Sequence, residues 1–433
     1  MLRSTAIVAC SGLCALAAGQ ASFPAAFVSN NGNLRGSVSS YRVDAATGEL
    51  SLVQELVIGQ RASQDPNIPG TNAISLSLSP DGQRLAITHA TASSTVEQVT
   101  IVAVGADAGL TLSHTFTTPD SPLDCEWLSD TVLAVTRTRT SGTNEVVVYR
   151  YDRATGAAVE IDREAAGVFC SYLAVDPSRQ RLFAADSSGY MIRAFTIEND
   201  GRLTPLSSLA TSCYPLGLDV HGDGSRIFAG GGISVGGRAI LGVSFNSFTG
   251  QMSELTGSPY AGGAANPNKA VDSPDGQRLI VGYSDGNLRL FSLAFGTPIP
   301  VGLPFGIGTQ GEVGNLATMW LGDRQVILVT DKESYTAGTG LISLTLTDDD
   351  RLVANGPKVA SGGVSPTDVV SWVPDAPACP ADYNGDGGVD GGDVESFFLD
   401  WEAGESEADV NGDGGVDGGD VETFFRAWEA GGC

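Results

Sequence analysis

The chain has 433 residues, with 56 glycines, 20 prolines, 17% charged residues and a formal charge of −26. That length exceeds one ordinary domain, and abundant glycine among short Val, Ile, Leu and Thr runs excludes a mainly helical or disordered chain. The negative balance repels nucleic acid and anionic lipid, so neither is an expected partner.

Residues 1–21 read as an export signal peptide: Arg3, an apolar stretch from Ala6 to Ala18, then a small-residue exit at Gly19-Gln20-Ala21. The apolar run is too short to span a membrane, and no other transmembrane span is expected. An extracellular or cell-surface location follows. Cleavage leaves Cys125, Cys170, Cys213, Cys379 and Cys433. In an oxidising compartment Cys379 and Cys433, which bracket the acidic tail, are expected to pair.

Residues 22–375 repeat one unit seven times, an alternating apolar run, a turn, then a second apolar run, and the propeller domain is expected over 22–374. The turn markers Asp81, Asp130, Ser178, Asp223, Asp275, Asp323 and Asp375 recur at steps of 45 to 52 residues. A second series keeps phase with them: Gly48, Gly109, Gly156, Gly201, Gly250 and Gly296, with Asp348-Asp349-Asp350 in the last unit. Four strands' worth of residues per step is β-propeller spacing. The expected fold class is all-β: a seven-bladed propeller of four-stranded blades, with a small α-helical C-terminal domain. The chain enters at Ala26-Phe27-Val28-Ser29, a second strand, and leaves at 368–373, a first strand. The last strand should therefore complete the blade begun by the first, closing the ring and removing open edges.

Ser79-Pro80-Asp81-Gly82-Gln83-Arg84-Leu85, Ser273-Pro274-Asp275-Gly276-Gln277-Arg278-Leu279 and the run from Tyr41 to Leu50 resemble blades of the lactonase-type seven-bladed propellers. The resemblance implies lactone chemistry served by His, Glu and Arg at the inner ends of blades, in Gly-Pro-Arg-His-like runs. This sequence departs there: the equivalent stretches at 69–72, 168–172, 212–216 and 266–269 hold no Arg-His pair. His89 and His114 lie in strand-like runs and read as structural, and His221 reads as a turn residue. Asp124 and Glu126 face either the central channel or a solvated rim, the rim being the preferred placement. Cys125, Cys170 and Cys213 stand near three successive strand entries and read as buried small side chains. A Cys170–Cys213 bridge is the alternative.

After a linker at 375–381, residues 382–433 carry the sharpest chemical signal. From residue 379 onward fifteen acidic residues face a single basic one, Arg426. Asp382, Asn384, Asp386, Gly388, Asp390 and Asp393 recur 27 residues later as Asp409, Asn411, Asp413, Gly415, Asp417 and Asp420. Oxygen ligands at positions 1, 3, 5, 9 and 12, a backbone carbonyl at 7 and glycine at 6 form the spacing of an EF-hand-like Ca2+ loop. Two calcium ions are therefore the expected cofactors. Each loop runs into a helical stripe, Val394, Phe397, Phe398, Trp401 and Val421, Phe424, Phe425, Trp428.

Position 12 is Asp, and one helix follows each loop, so the tail resembles the GC-type dockerin domains that end many exported bacterial proteins. The resemblance implies sorting or surface attachment through an unidentified receptor. The positions that recognise partners in cellulosomal dockerins are Gly391-Gly392 and Gly418-Gly419 here, which carry no recognition side chains. The leading functional expectation is an exported, surface-held propeller that binds a ligand or partner and has no catalytic residues. The alternatives are a lactone or glycoside hydrolase working in the channel, and a structural surface component. A cluster of Glu, Arg and His side chains at the channel mouth would favour the enzyme, and an apolar or Gly-lined mouth would favour binding.

Overall fold

The structure is a computed structural model, and it describes residues 20–32, 34–60, 71–90, 97–139, 142–234, 237–263, 265–308, 311–332, 339–374, 381, 383, 391–405, 408, 410 and 415–429. They form thirty strands in seven antiparallel sheets and two helices, with a division into compact units after Val373.

The first unit is a seven-bladed β-propeller. Blade 1 comprises residues 25–60 with the inner strand Pro366–Trp372, and blades 2 to 7 follow at 73–117, 125–167, 170–210, 215–261, 267–306 and 313–360. The outermost strands of blades 5 and 7 are split in two, both pieces pairing with one neighbour. Ala25–Asn31 pairs with Arg35–Val43 on one side and with Pro366–Trp372 on the other, with Val28 opposite Val369. The two chain ends thus share blade 1, as the incomplete first and last units predict.

The strand patterns explain the radial layers. Second strands such as Arg84–His89 are buried throughout, because both faces of a blade pack on neighbouring blades. Outer strands such as Ile299–Gly306 are largely exposed. Between blades 2 and 3, Trp127 is fully buried with Val99, Ile101 and Tyr151, its ring edge-on to Tyr151 at 6.0 Å. The outer turns place positive φ at Gly48, Gly156, Gly201, Gly250 and Gly296. In blade 2 the residue with positive φ is Ala108, at φ 58, not Gly109, and in blade 7 it is Asp350. The turn geometry recurs while its residue type does not.

The inner strands are Pro366–Trp372, Ala73–Leu78, Cys125–Ser129, Cys170–Val175, Pro215–Val220, Pro267–Asp272 and Val313–Leu321. A register shift recurs near the start of six of them, between Ala73 and Ser75, for example, and between Pro267 and Lys269. Such bulges re-aim a side chain where a ladder loosens. A threonine of the neighbouring strand takes up the stranded N–H: Thr88 Oγ1 accepts from Ser75, Thr136 Oγ1 from Asp124, and Thr330 Oγ1 from Asn315.

In the C-terminal unit, α1 (Gly391–Ala403) and α2 (Gly418–Glu429) pack through Phe397 and Phe424, both fully buried, with rings stacked at 4.4 Å and 3°. Val394, Phe398, Trp401, Val421, Phe425 and Trp428 surround them. No helix among the described residues is long and apolar enough to cross a membrane.

Candidate functional site in the propeller channel

The inner strands and their entries bring one residue per blade to the channel: Asp368 from blade 1, then Ser75, Asp124, Tyr172, Gly217, Lys269 and Asn315 from blades 2 to 7, all but Asp124 beside a bulge. Two positions further along, the two-residue period of a strand presents a second layer containing Ser77, Glu126 and Asp219. All of these line a cavity of about 780 Å³. Its charged lining consists of four acids, Asp124, Glu126, Asp219 and Asp368, and three bases, Arg179, Lys269 and Lys332. Asp124 and Glu126 therefore line the channel and do not stand on a solvated rim.

The acids differ in how fully they are bound. Asp124 Oδ1 accepts from the Cys125 N–H at 2.9 Å and lies 2.6 Å from Ser75 Oγ, while Oδ2 accepts from the Leu173 N–H at 2.7 Å. Asp368 accepts from the Leu76 N–H at 3.0 Å and from the Asn315 side-chain amide, and its Oδ2 lies 2.8 Å from Ser75 Oγ. These bonds tie consecutive blades together around the axis. Ser75 has one hydroxyl proton and stands between two carboxyls, so one of the two contacts requires a proton on Asp124 or Asp368.

Glu126 has freer oxygens. Its Oε2 accepts from Ser77 Oγ at 2.9 Å, and its Oε1 has no hydrogen-bond partner among the described residues. Burial, then the neighbouring Asp124 charge, pushes its carboxyl up to about 8. Burial, followed by the Asp368 charge, pushes Asp124 up to about 7. Burial also raises Asp219 and Asp368, against the pull of Lys269. The Lys269 ammonium donates to the Leu218 carbonyl at 2.8 Å and is felt by all four acids. Arg179 donates to the Trp127 carbonyl at 2.5 Å, and Lys332 pairs with Glu312 at 3.3 Å. A carboxylate poised near neutrality that shares an open cavity with an ammonium suits general base and acid work. Among the described residues no group of three His, Cys, Asp or Glu is arranged to hold a metal.

The histidines stand apart from this chemistry. His89 is buried, held between Thr71 O at 3.2 Å and Thr100 Oγ1 at 2.9 Å, and burial pushes it down to about 4. His114 Nδ1 meets the Tyr151 hydroxyl at 2.9 Å. His221 opens its turn, with Nδ1 2.8 Å from Asp223 and Nε2 3.4 Å from Asp272. Cys125, Cys170 and Cys213 are buried free thiols, so the alternative Cys170–Cys213 bridge is absent. Asp219, Lys269 and Asp368 escaped the sequence reading as site residues. The one available signal was their common register, two residues beyond the first inner-strand residue or two further still.

Of the expected calcium ligands, Asp382, Asn384, Asp386, Gly388, Asp390, Asp409, Asn411 and Asp413 lie outside the described residues. So do Cys379, Cys433 and residues 1–19. Asp393 and Asp420 are fully buried in the first turns of α1 and α2. Asp420 Oδ2 accepts from the Asp417 N–H at 2.8 Å, and Asp417 Oδ1 accepts from the Gly419 N–H at 2.7 Å. Buried carboxylates fit a hard cation such as calcium.

A family model described as "Lactonase, 7-bladed beta-propeller" matches residues 131–231, under a quarter of the chain. Among solved structures, the chain is similar to a periplasmic gluconolactonase of Pseudomonas aeruginosa at 17% identity and TM-score 0.61, over 81% of this chain and 99% of that one. It is also similar to a putative 6-phosphogluconolactonase of Bacteroides uniformis at 15% identity and TM-score 0.63, over 81% and 100%. A protein of Lactobacillus plantarum aligns at 16% identity and TM-score 0.63, over 81% and 99%. No curated protein matches the chain. At these identities the structural likeness speaks for the fold.

Proposed function

We propose that the propeller is a hydrolase that opens neutral lactones in its channel, with Glu126 as general base and Lys269 as the electrophile. The observation that carries this reading is one open cavity lined by both a carboxylate with an unbonded oxygen, Glu126, and an ammonium, Lys269. Of the Glu, Arg and His side chains expected of an enzyme, Glu126 and Arg179 line the channel and no histidine does; with Lys269 in place of the histidine, the charged lining favours the hydrolase over the binding protein. The lactonase family match and the lactonase-named structures lend the same support.

Water held at Glu126 Oε1 attacks the acyl carbon as Glu126 takes its proton. The oxyanion that forms lies by the Lys269 ammonium, where fixed positive charge in a partly enclosed site stabilises it. Collapse breaks the ring C–O bond, and Glu126 returns its proton to the departing ring oxygen, leaving a hydroxy acid. Ser77 orients Glu126 throughout. An anionic lactone is disfavoured: Lys332 is paired, Arg179 is tied to a carbonyl, and a phosphate would meet four acids without a bidentate clamp.

Initial rates on glucono-δ-lactone and its 6-phosphate, measured above spontaneous opening, test the reading. The neutral lactone should turn over and Glu126→Gln should lose about 10²–10⁴-fold. Equal rates for wild type and Glu126→Gln would remove the proposed mechanism.

For the tail we propose a dockerin-like module binding two calcium ions, on an exported chain held at the cell surface by an unidentified receptor. The repeated oxygen-ligand spacing supports it, with Asp393 and Asp420, the twelfth positions of the two loops, buried in the first turns of α1 and α2. Equilibrium dialysis of the full chain should find two bound calcium ions, and Asp382→Ala with Asp409→Ala should lose both.

A further inference from the structure

We propose that the channel mouth on blades 4 and 5 is a second sugar-ring subsite, so that the substrate is an oligosaccharide ending in a lactone. This rests on the hydrolase reading and names its substrate class. The first argument is size. A monosaccharide lactone has about a dozen non-hydrogen atoms, and a cavity of about 780 Å³ is of the size that encloses a ligand two or more times larger.

The second argument is the chemistry of the mouth. Phe169, Tyr172 and Tyr214 line the cavity from adjacent blades, and Tyr190 packs edge-on against Tyr214 with ring centroids 5.9 Å apart. Phe169 and Tyr214 each stand three residues ahead of the channel positions Tyr172 and Gly217. On blades 6, 7 and 1 the lining is polar, with Asn268, Lys332 and Asn31. The Asn268 amide nitrogen is committed to the Val313 carbonyl at 2.9 Å, which leaves its oxygen to accept from a hydroxyl. A pyranose has an apolar C–H face and a rim of hydroxyls, and aromatic rings and amides lining one cavity suit both. An apolar ligand would strand those amides, and an anionic one would meet the acids below.

The test compares glucono-δ-lactone with cellobiono-δ-lactone on the full-length wild type, Tyr214→Ala and Tyr214→Phe. The disaccharide lactone should have the higher kcat/KM by about tenfold, expressed in KM. Tyr214→Ala should collapse that ratio towards one, and Tyr214→Phe should keep it, since the ring is retained. Equal kcat/KM for the two lactones, or a ratio that Tyr214→Ala does not move, overturns the subsite while the hydrolase reading stands. If neither lactone is opened, the hydrolase reading falls and calorimetry with cellobiose judges the subsite alone. Binding to wild type that Tyr214→Ala abolishes upholds it, and no binding to wild type overturns it.

Discussion

Replacing Asp124 by asparagine isolates the proton that the ring of blades holds at neutral pH. In the native protein Asp124 is raised from 3.8 to about 7, first by burial and then by Asp368. Between about pH 4 and pH 7 the folded state therefore holds a proton that the unfolded chain has released, so stability falls as pH rises through that window. At about 1.4 kcal/mol for each tenfold change in proton affinity, the rise sets a ceiling of about 4 kcal/mol. Asp124 lines the open channel, and screening there brings the expectation to roughly 2 kcal/mol. The introduced amide can donate from its nitrogen to Ser75 Oγ and accept from the Leu173 N–H, freeing the Ser75 proton for Asp368, while the Cys125 N–H loses the acceptor that Asp124 Oδ1 supplied. It resolves the proton shortage without a charge. Thermal unfolding of the full chain at pH 5 and pH 8, at fixed calcium, reads the effect. The wild type should lose more stability than Asp124→Asn between the two pH values, by about 1 kcal/mol, because that window spans about two of the three pH units of the shift, or a few degrees in Tm. Parallel pH profiles for the two proteins would refute a proton shared through Ser75.

Other outcomes follow from the same geometry. With Glu126 raised to about 8 and required as a base, kcat/KM on a neutral lactone should climb with pH and level off above about 8, and Ser77→Ala should move that midpoint upward because it removes a donor to the charged form. Gly156→Ala should cost about 2 kcal/mol or more in urea unfolding, because φ is +71° and the added Cβ would fall 1.7 Å from the His114 ring. Phe424→Ala removes half of a stacked, fully buried pair from the small C-terminal core and should cost that unit about 3–5 kcal/mol, seen as a separate early transition in calorimetry.

Blade number and closure are legible in the residues alone because a propeller repeats one local unit, and its turn markers keep step whatever the neighbouring blades contain. The pairing of Val28 with Val369 follows from two incomplete units at the chain ends. The amphipathic stripes that meet at Phe397 and Phe424 are equally local, since helical period alone places them. The channel is different. Both faces of a blade are buried against other blades, so alternation along a strand does not say which end points at the axis. Only the packed ring brings Asp124, Glu126, Asp219, Lys269 and Asp368 from four blades into one cavity. Their titration is likewise a tertiary property, because burial and mutual repulsion, absent from any single blade, are what raise the acids towards neutrality.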